Sequence, residues 1–298
     1  MTIWNAILLG LVQGIAEFLP ISSSGHLSIL QNLFHMSTAE DGHLFFDVLL
    51  HLGTLVSICI VYWRDIVAMV RETFAFFGNT RLPAEQRRKQ FPAARMVLMI
   101  ILATLPLFLI LPINDKVEQL YYHTFFIGLM LILTGCLLFV ADKMPKGTRT
   151  EKNMRVRDAL IIGAFQGVAL TPGISRSGST ITGVCQAVAT IPGLSRSGTT
   201  IAAGMATGLE RSFAVRFSFL MSLPAVLGAN ILALAKAAKT GIDVSLLPAY
   251  LVGMLVAMAS GIVAIGLVKR LTSKGHFGAF SYYCWGAGAV TMLLSLIF

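Results

Sequence analysis

Apolar residues occur along the chain in long blocks separated by short polar segments, the pattern of helices that face lipid. The blocks fall at about 2–20, 24–35, 44–63, 96–113, 124–141, 157–171, 199–209, 212–235, 246–268 and 277–298. A helix crossing the hydrocarbon needs about 20 such residues, so room exists for roughly eight to ten membrane segments, counting partial ones. The stretch 65–77 is amphipathic and predicts a helix lying in the membrane interface. The first two blocks are too short and too polar for ordinary spans. They meet at Phe18-Leu19-Pro20-Ile21-Ser22-Ser23-Ser24-Gly25-His26, a helix, a polar turn and another helix. Irregular backbone at membrane depth needs protein or a water-filled cavity around it, so this stretch predicts a re-entrant hairpin lining a site.

The composition agrees. Of 298 residues, 56% are hydrophobic and 12% charged, with mean hydropathy +0.78; soluble domains carry about 25% charged residues. A soluble enzyme, a disordered chain, a disulfide scaffold and a nucleic-acid module are disfavoured. The net charge of +9 comes from short basic segments. Arg81, Arg87, Arg88, Lys89 and Arg95 lie in 78–95, and Lys143, Lys146, Arg149, Lys152, Arg155 and Arg157 in 143–157. Two spans separate these segments, so both belong on one side, the cytoplasmic one by the positive-inside rule. The four cysteines stand singly in apolar stretches without a CxxC pair and read as small buried hydrophobes. No cleavable signal peptide is expected, because the first apolar run has no basic leader and is interrupted by Gln13 and Glu17.

The chain repeats itself. Shifted by 153 residues, 10–25 lies on 163–178 without a gap, matching Gly, Gln, Gly, Ala, Ile, Ser, Ser and Gly. A further shift of 20 carries Pro172-Gly173-Ile174-Ser175-Arg176-Ser177-Gly178 onto Pro192-Gly193-Leu194-Ser195-Arg196-Ser197-Gly198, a close tandem duplication. These repeats predict an all-α polytopic integral membrane protein, a single transmembrane domain over 1–298. Two re-entrant helical hairpins would sit in an internal, inverted repeat. Its halves cover about 1–142 and 157–298, joined by the basic cytoplasmic loop 143–157. In such folds the site lies between the repeats near the bilayer midplane.

The motif residues suit an anion. Proline and glycine break the incoming helix, serine caps the next one, and the free N–H groups with the positive end of the helix dipole favour phosphate. Arginine adds a permanent charge and a planar fork for phosphate oxygens; at membrane depth it is costly and points to function. The bland alternative is a structural ion pair. Two half-helix N-termini aimed at one point would bind a diphosphate, with Ser23 opposite an arginine of the second hairpin. Glu17 and Asp47 are acids set within apolar stretches. Gln13 and Glu17 share a helix face, and a divalent cation beside the phosphate would keep Glu17 ionised. The bland reading of Glu17 is a hydrogen bond to a turn N–H. His26 could activate serine as a general base or protonate a leaving phosphate. Asp47, with His43 and His51 four residues to either side, reads as an interfacial polar belt, or else as a cluster that supports the site from behind or gates it.

At Gln13–His26 and at Pro-Gly-x-Ser-Arg-Ser-Gly-x-Thr the chain resembles the bacterial undecaprenyl-diphosphate phosphatases, the integral membrane enzymes linked to bacitracin resistance. The resemblance extends over nearly the whole chain, including Phe217-Ser218-Phe219-Leu220 and Pro224. It implies hydrolysis of undecaprenyl diphosphate to undecaprenyl phosphate and inorganic phosphate, recycling the carrier lipid for cell-wall synthesis. The location it implies is the bacterial plasma membrane, with the site facing outward. The implied metal ligands are Gln13 and Glu17, for Mg²⁺ or Ca²⁺. Glutamine stands where the family often has glutamate, so Glu17 carries more of that role. Ser23 is the implied nucleophile or phosphate contact and His26 the acid/base; serine, histidine or water could attack. Ser22 and the second motif would bind phosphate. The second motif is present twice, as Ser175, Arg176 and Thr180 and as Ser195, Arg196 and Thr200. Arg196 is favoured, because 199–220 continues in the family register. The expected partners are an isoprenoid diphosphate lipid and the bilayer, with no nucleic acid; self-association as a homodimer is compatible with such a chain. A transporter or flippase of a phosphorylated isoprenoid lipid is the rival reading. It would need the binding residues but not a nucleophile and base.

Overall fold

The computed structural model describes residues 2–33, 41–79, 83–108, 123–168, 193–240 and 244–297, and the fold is all-helical. The helices are α1 (Ile3–Phe18), α2 (Ser23–Leu33), α3 (Asp41–Val61), α4 (Trp63–Gly78), α5 (Ala84–Gln90) and α6 (Pro92–Phe108). They continue with α7 (Thr124–Lys143), α8 (Val156–Val168), α9 (Arg196–Ala206), α10 (Arg211–Thr240), α11 (Leu247–Ser273) and α12 (Ala279–Ile297). Among the described residues, α7, α11 and α12 are each long and apolar enough to cross a membrane, and α3 with α4 forms a further pair bent by 75°. The chain is a multi-pass membrane protein.

Burial follows the sequence pattern. On α1 the side chains of Leu9, Gln13, Ala16 and Glu17 are buried, while Trp4, Leu8, Leu11 and Ile15 are exposed, the face that suits lipid. The α4 helix buries no residue and presents Trp63, Phe74 and Phe77 outward, as the amphipathic stretch 65–77 predicts. Of the three described cysteines only Cys284 is buried; Cys136 is exposed, against the expectation for all of them.

Small residues let α1 approach α11 closely. A Cβ on Gly10 would fall on the Gly253 carbonyl, and one on Gly14 on the Ala257 carbonyl and the Ser260 hydroxyl. This is the small-residue packing that brings membrane helices together. Ser57 Oγ on α3 donates to the Met258 carbonyl of α11 at 2.8 Å, fixing the other side.

Both basic segments gather at one end of the bundle, as their spacing along the chain requires. Arg95 donates to the carbonyls of Lys152 and Met154. Arg149 pairs with buried Asp158 at 2.7 Å, Arg211 with Asp142 at 3.0 Å, and Arg216 with Asp65 and Glu151 at 3.1 and 2.6 Å.

The α2 and α9 helices begin well inside the bundle. The turn before α2 lies beside α12, where Cys284 Sγ donates to the Pro20 carbonyl at 3.7 Å. The turn before α9 lies beside the middle of α7. Thr134 Oγ1 donates to the Gly193 carbonyl and accepts from the Ser195 N–H, each at 3.2 Å. From these starts the helices part. Leu27 of α2 packs with Leu9, Phe45, Leu50 and Tyr250, whereas Ile201 and Met205 of α9 join the core of Met154, Leu209 and Phe213 near the basic segments.

Candidate active site

The α1 helix ends at Phe18, and Leu19-Pro20-Ile21 turns the chain into α2. The reversal puts Ser22 at φ 70, the one positive φ outside glycine among the described residues. That conformation costs a non-glycine residue about 1–2 kcal/mol, and such strain collects at functional sites. Ser22 Oγ accepts the Gly25 N–H at 3.3 Å, which satisfies one of the free donors of the α2 start. The α9 start repeats the bond: Ser195 Oγ accepts the Gly198 N–H at 3.1 Å. The likeness extends further. Ser22 and Ser24 hydroxyls lie 3.4 Å apart and those of Ser195 and Ser197 3.3 Å. The side chains of His26 and Thr199 each bond back to the carbonyl of their capping serine, at 2.7 Å in both cases.

Glu17 joins the two starts. Its Oε2 accepts from Ser23 Oγ at 2.7 Å and from Gln13 Nε2 at 3.2 Å, and its Oε1 pairs with Arg196 Nη2. His51 Nε2 stands 4.0 Å from Oε2. A buried carboxylate is tolerable only when paired and hydrogen-bonded, and Arg196 and Ser23 supply both. Ser23 and Arg196 are each the first residue of their helix. The carboxylate therefore links a hydroxyl and a guanidinium that both sit at positive helix ends.

His26 does not reach Ser23. Its Nδ1 lies 2.7 Å from the Ser22 carbonyl and its Nε2 2.8 Å from the Tyr283 hydroxyl. The Ser23 proton points to Glu17, not to the imidazole. Thr200 Oγ1 bonds the carbonyls of Arg196 and Ser197 at 2.9 and 3.1 Å and also the Ser218 hydroxyl. Of the sequence-named residues, Gln13, Glu17, Ser23 and Arg196 thus share one constellation, while Ser22, Ser195, Thr200 and His26 are bonded into the turns that carry it. Ser175, Arg176 and Thr180 lie outside the described residues, and His43 lies in α3. Sequence reasoning missed Tyr283 and gave Ser218 no role in the site; for His51 it favoured an outer polar belt over a place supporting the site, and His51 flanks Glu17.

The donor set can be tested against a divalent cation. Among the described residues no three His, Cys, Asp or Glu side chains cluster as a metal site. Gln13 Oε1, however, is buried without a hydrogen-bond partner beside Glu17. A hard cation accepts such carbonyl and carboxylate oxygens and completes its shell with phosphate and water, so the residues fit an ion bound together with a phosphate substrate. The space beside them is tight. A cavity of about 10 Å³, about one water in size, is lined by Glu17, Arg196, Ser197, Thr200, Ser218 and Ser222 among others.

Two helix starts, a buried acid, a hydroxyl and an arginine thus meet in one place. The sequence profile described as bacitracin resistance protein BacA matches residues 6–184 and 181–290. The chain belongs to the BacA family. It is similar to the undecaprenyl-diphosphatase of Alkaliphilus metalliredigens (strain QYMF), 39% identical over 298 residues and the full length of both chains. It is 34% identical over 301 residues to the undecaprenyl-diphosphatase of Methanosphaera stadtmanae, covering 100% of this chain and 99% of the other. For the enzyme of that name from Carboxydothermus hydrogenoformans, identity is 35% over 300 residues, with 99% and 98% covered. The two BacA-family stretches meet within the tandem duplication, so each contains one Ser-Arg-Ser-Gly copy.

Proposed function

We propose that this chain hydrolyses undecaprenyl diphosphate to undecaprenyl phosphate and inorganic phosphate, recycling the carrier lipid of cell-wall synthesis in the bacterial plasma membrane. The observation that carries the reading is the Glu17 carboxylate bonded at once to the Ser23 hydroxyl and the Arg196 guanidinium. The relatives named undecaprenyl-diphosphatase supply the substrate class.

In this reading α2 and α9 are the inner arms of two re-entrant hairpins in an inverted repeat. Their shared capping pattern and opposite departures from the turns support it. The basic end faces the cytoplasm, and the site opens to the outer face. Arg196 exchanges its carboxylate partner for the terminal phosphate, whose charge the N–H groups at the α9 start also favour. Ser23 Oγ forms a bond to the terminal phosphorus and gives its proton to Glu17. The bridging P–O bond breaks, and the prenyl monophosphate leaves. Water then attacks the phosphoserine and gives a proton to His26 Nε2, which releases it to solvent. The P–Oγ bond breaks, inorganic phosphate leaves, and Ser23 recovers its proton from Glu17. A divalent cation, Mg²⁺ or Ca²⁺, would be held by the Glu17 carboxylate and Gln13 Oε1. When bound it polarises the phosphate oxygens as a Lewis acid.

The test is phosphate release from a C55 isoprenoid diphosphate by purified protein in detergent, with Mg²⁺, with Ca²⁺ and with chelator. Release that requires the cation and Ser23 is expected. A folded protein that binds the lipid diphosphate without turnover would overturn the hydrolase reading.

A further inference from the structure

The Tyr283 hydroxyl meets His26 across 257 residues of chain, at the edge where α2 faces α12. The bonding pattern around His26 fixes its protons. A carbonyl oxygen can only accept, so the 2.7 Å contact to Ser22 requires the proton on Nδ1. The lone pair of the neutral ring then lies on Nε2, and the Tyr283 O–H donates to it at 2.8 Å. The two rings are nearly parallel, 15° apart, with centroids separated by 5.7 Å. The next residue anchors this register. Cys284 is fully buried, and its Sγ donates to the Pro20 carbonyl in the turn that leads into α2. Successive residues of α12 therefore grip the two sides of the Ser22 turn, one at Pro20 and one at His26. About half of Tyr283 is exposed, so its hydroxyl bond is not a by-product of complete burial.

We propose that Tyr283 is a positioning residue for His26, holding the imidazole in the Nδ1–H tautomer with its Nε2 lone pair set for the water step. The proposal rests on the reading of His26 as the base in that step. It gives α12, which carries no residue of either sequence motif, a part in positioning the base. Tyr283 takes up and gives back no proton: its O–H holds the ring between turnovers, and the attacking water takes its place as donor to Nε2.

The experiment compares Tyr283→Phe, Tyr282→Phe and His26→Gln in the full chain in detergent. Tyr282 is the control: it packs edge-on against Trp285 and is largely exposed. Turnover of the C55 diphosphate is measured together with ¹⁵N resonances of labelled histidine, the His26 signals being those lost in His26→Gln. The Tyr283→Phe change keeps the ring and should elute as wild type. Its kcat should fall about fivefold to tenfold, the weight of one hydrogen bond, with KM within about twofold. Its His26 Nε2 resonance should move, and Tyr282→Phe should change neither. Wild-type kcat in Tyr283→Phe, or a fall in kcat without movement of the His26 resonance, overturns the role of Tyr283. Wild-type kcat in His26→Gln overturns the assignment of His26 as base and the proposal with it. A dead His26→Gln beside an unaffected Tyr283→Phe overturns the Tyr283 assignment alone.

Discussion

At the start of α2, Ser22 takes the Gly25 N–H and the next residue, Ser23, turns a hydroxyl to Glu17. At the start of α9, Ser195 takes the Gly198 N–H and the next residue, Arg196, turns a guanidinium to the same carboxylate. Both helices are 11 residues long. The capping bond is shared, although Ser22 makes it at φ 70 and Ser195 at φ −73, and the chemical difference lies in the side chains presented: serine and histidine on one turn, arginine and threonine on the other. Repetition supplies two positive helix ends, and divergence at one position gives one end a hydroxyl and the other a fixed charge. Neither turn has the whole chemistry. Glu17, at the end of α1, is the group that makes them one site.

The largest effects should come from the two diverged positions. Ser23→Ala and Arg196→Ala should each lower phosphate release on the order of 10³-fold, the scale of losing a charge-stabilising group in phosphoryl transfer. Arg196→Ala also leaves Glu17 buried without its cation, at about 3 kcal/mol. Arg196→Lys separates the two losses, because it keeps a charge for Glu17 but not the planar fork. It should show a near-wild-type melting midpoint with release still reduced on the order of 10²-fold. Arg176→Ala should release phosphate as wild type. Loss in Arg176→Ala with activity kept in Arg196→Ala would transfer the site to the other motif copy.

How far this comparison could be read from sequence depends on how local each contact is. The capping serines, the helix break before them and the Gln13–Glu17 face are short-range features. They are visible because Pro, Gly and Ser each have one dominant backbone use and because i,i+4 residues share a helix face. The amphipathic α4 was legible for the same reason. The choice of Arg196 over Arg176 depended on how the chain continues after the motif. What could not be read are pairings between distant elements: His26 with Tyr283, Thr200 with Ser218, Glu17 with His51. No spacing rule connects positions that meet only through helix packing. His51 shows the cost of this: with His43 and Asp47 it forms a plausible surface pattern, yet α3 is set by Gly53 and Ser57 so that His51 turns inward to Glu17. Composition likewise assigned all cysteines to the interior, but in a membrane protein an exposed Cys136 can face an apolar solvent without penalty.

A smaller effect should follow from disturbing the helix that carries Glu17 rather than either turn. Gly14 lies against the Ala257 carbonyl and Ser260 of α11. Gly14→Val would force α1 outward and cost about 1–3 kcal/mol through overpacking. Glu17, three residues along, would then move relative to both Ser23 and Arg196. The expected result is a lowered melting midpoint with kcat reduced more than KM is raised. Gly228, inside α10 with open space around the position of a Cβ, is the matched control, and Gly228→Val should leave kcat and KM unchanged. Equal effects at the two glycines would mean that α1–α11 contact does not set the site.

The smallest effect tests the shared backbone itself. Ser22 and Ser195 make the same capping bond, but Ser22 holds φ 70 and Ser195 holds φ −73. Glycine at either position loses the hydroxyl cap, worth a few tenths of a kcal/mol against glycine, and loosens the unfolded chain by about 0.4–1 kcal/mol. At Ser22 alone it also removes the left-handed strain of about 1–2 kcal/mol. Ser22→Gly should therefore be neutral or slightly stabilising, while Ser195→Gly should destabilise by about 1 kcal/mol. Thermal melting of the two variants in the same detergent decides it. Equal losses would mean that the surrounding helices, and not the turn, bear the strain at Ser22. A gain at Ser22 accompanied by lower kcat would mean that the strained turn holds Ser23 in its reactive place.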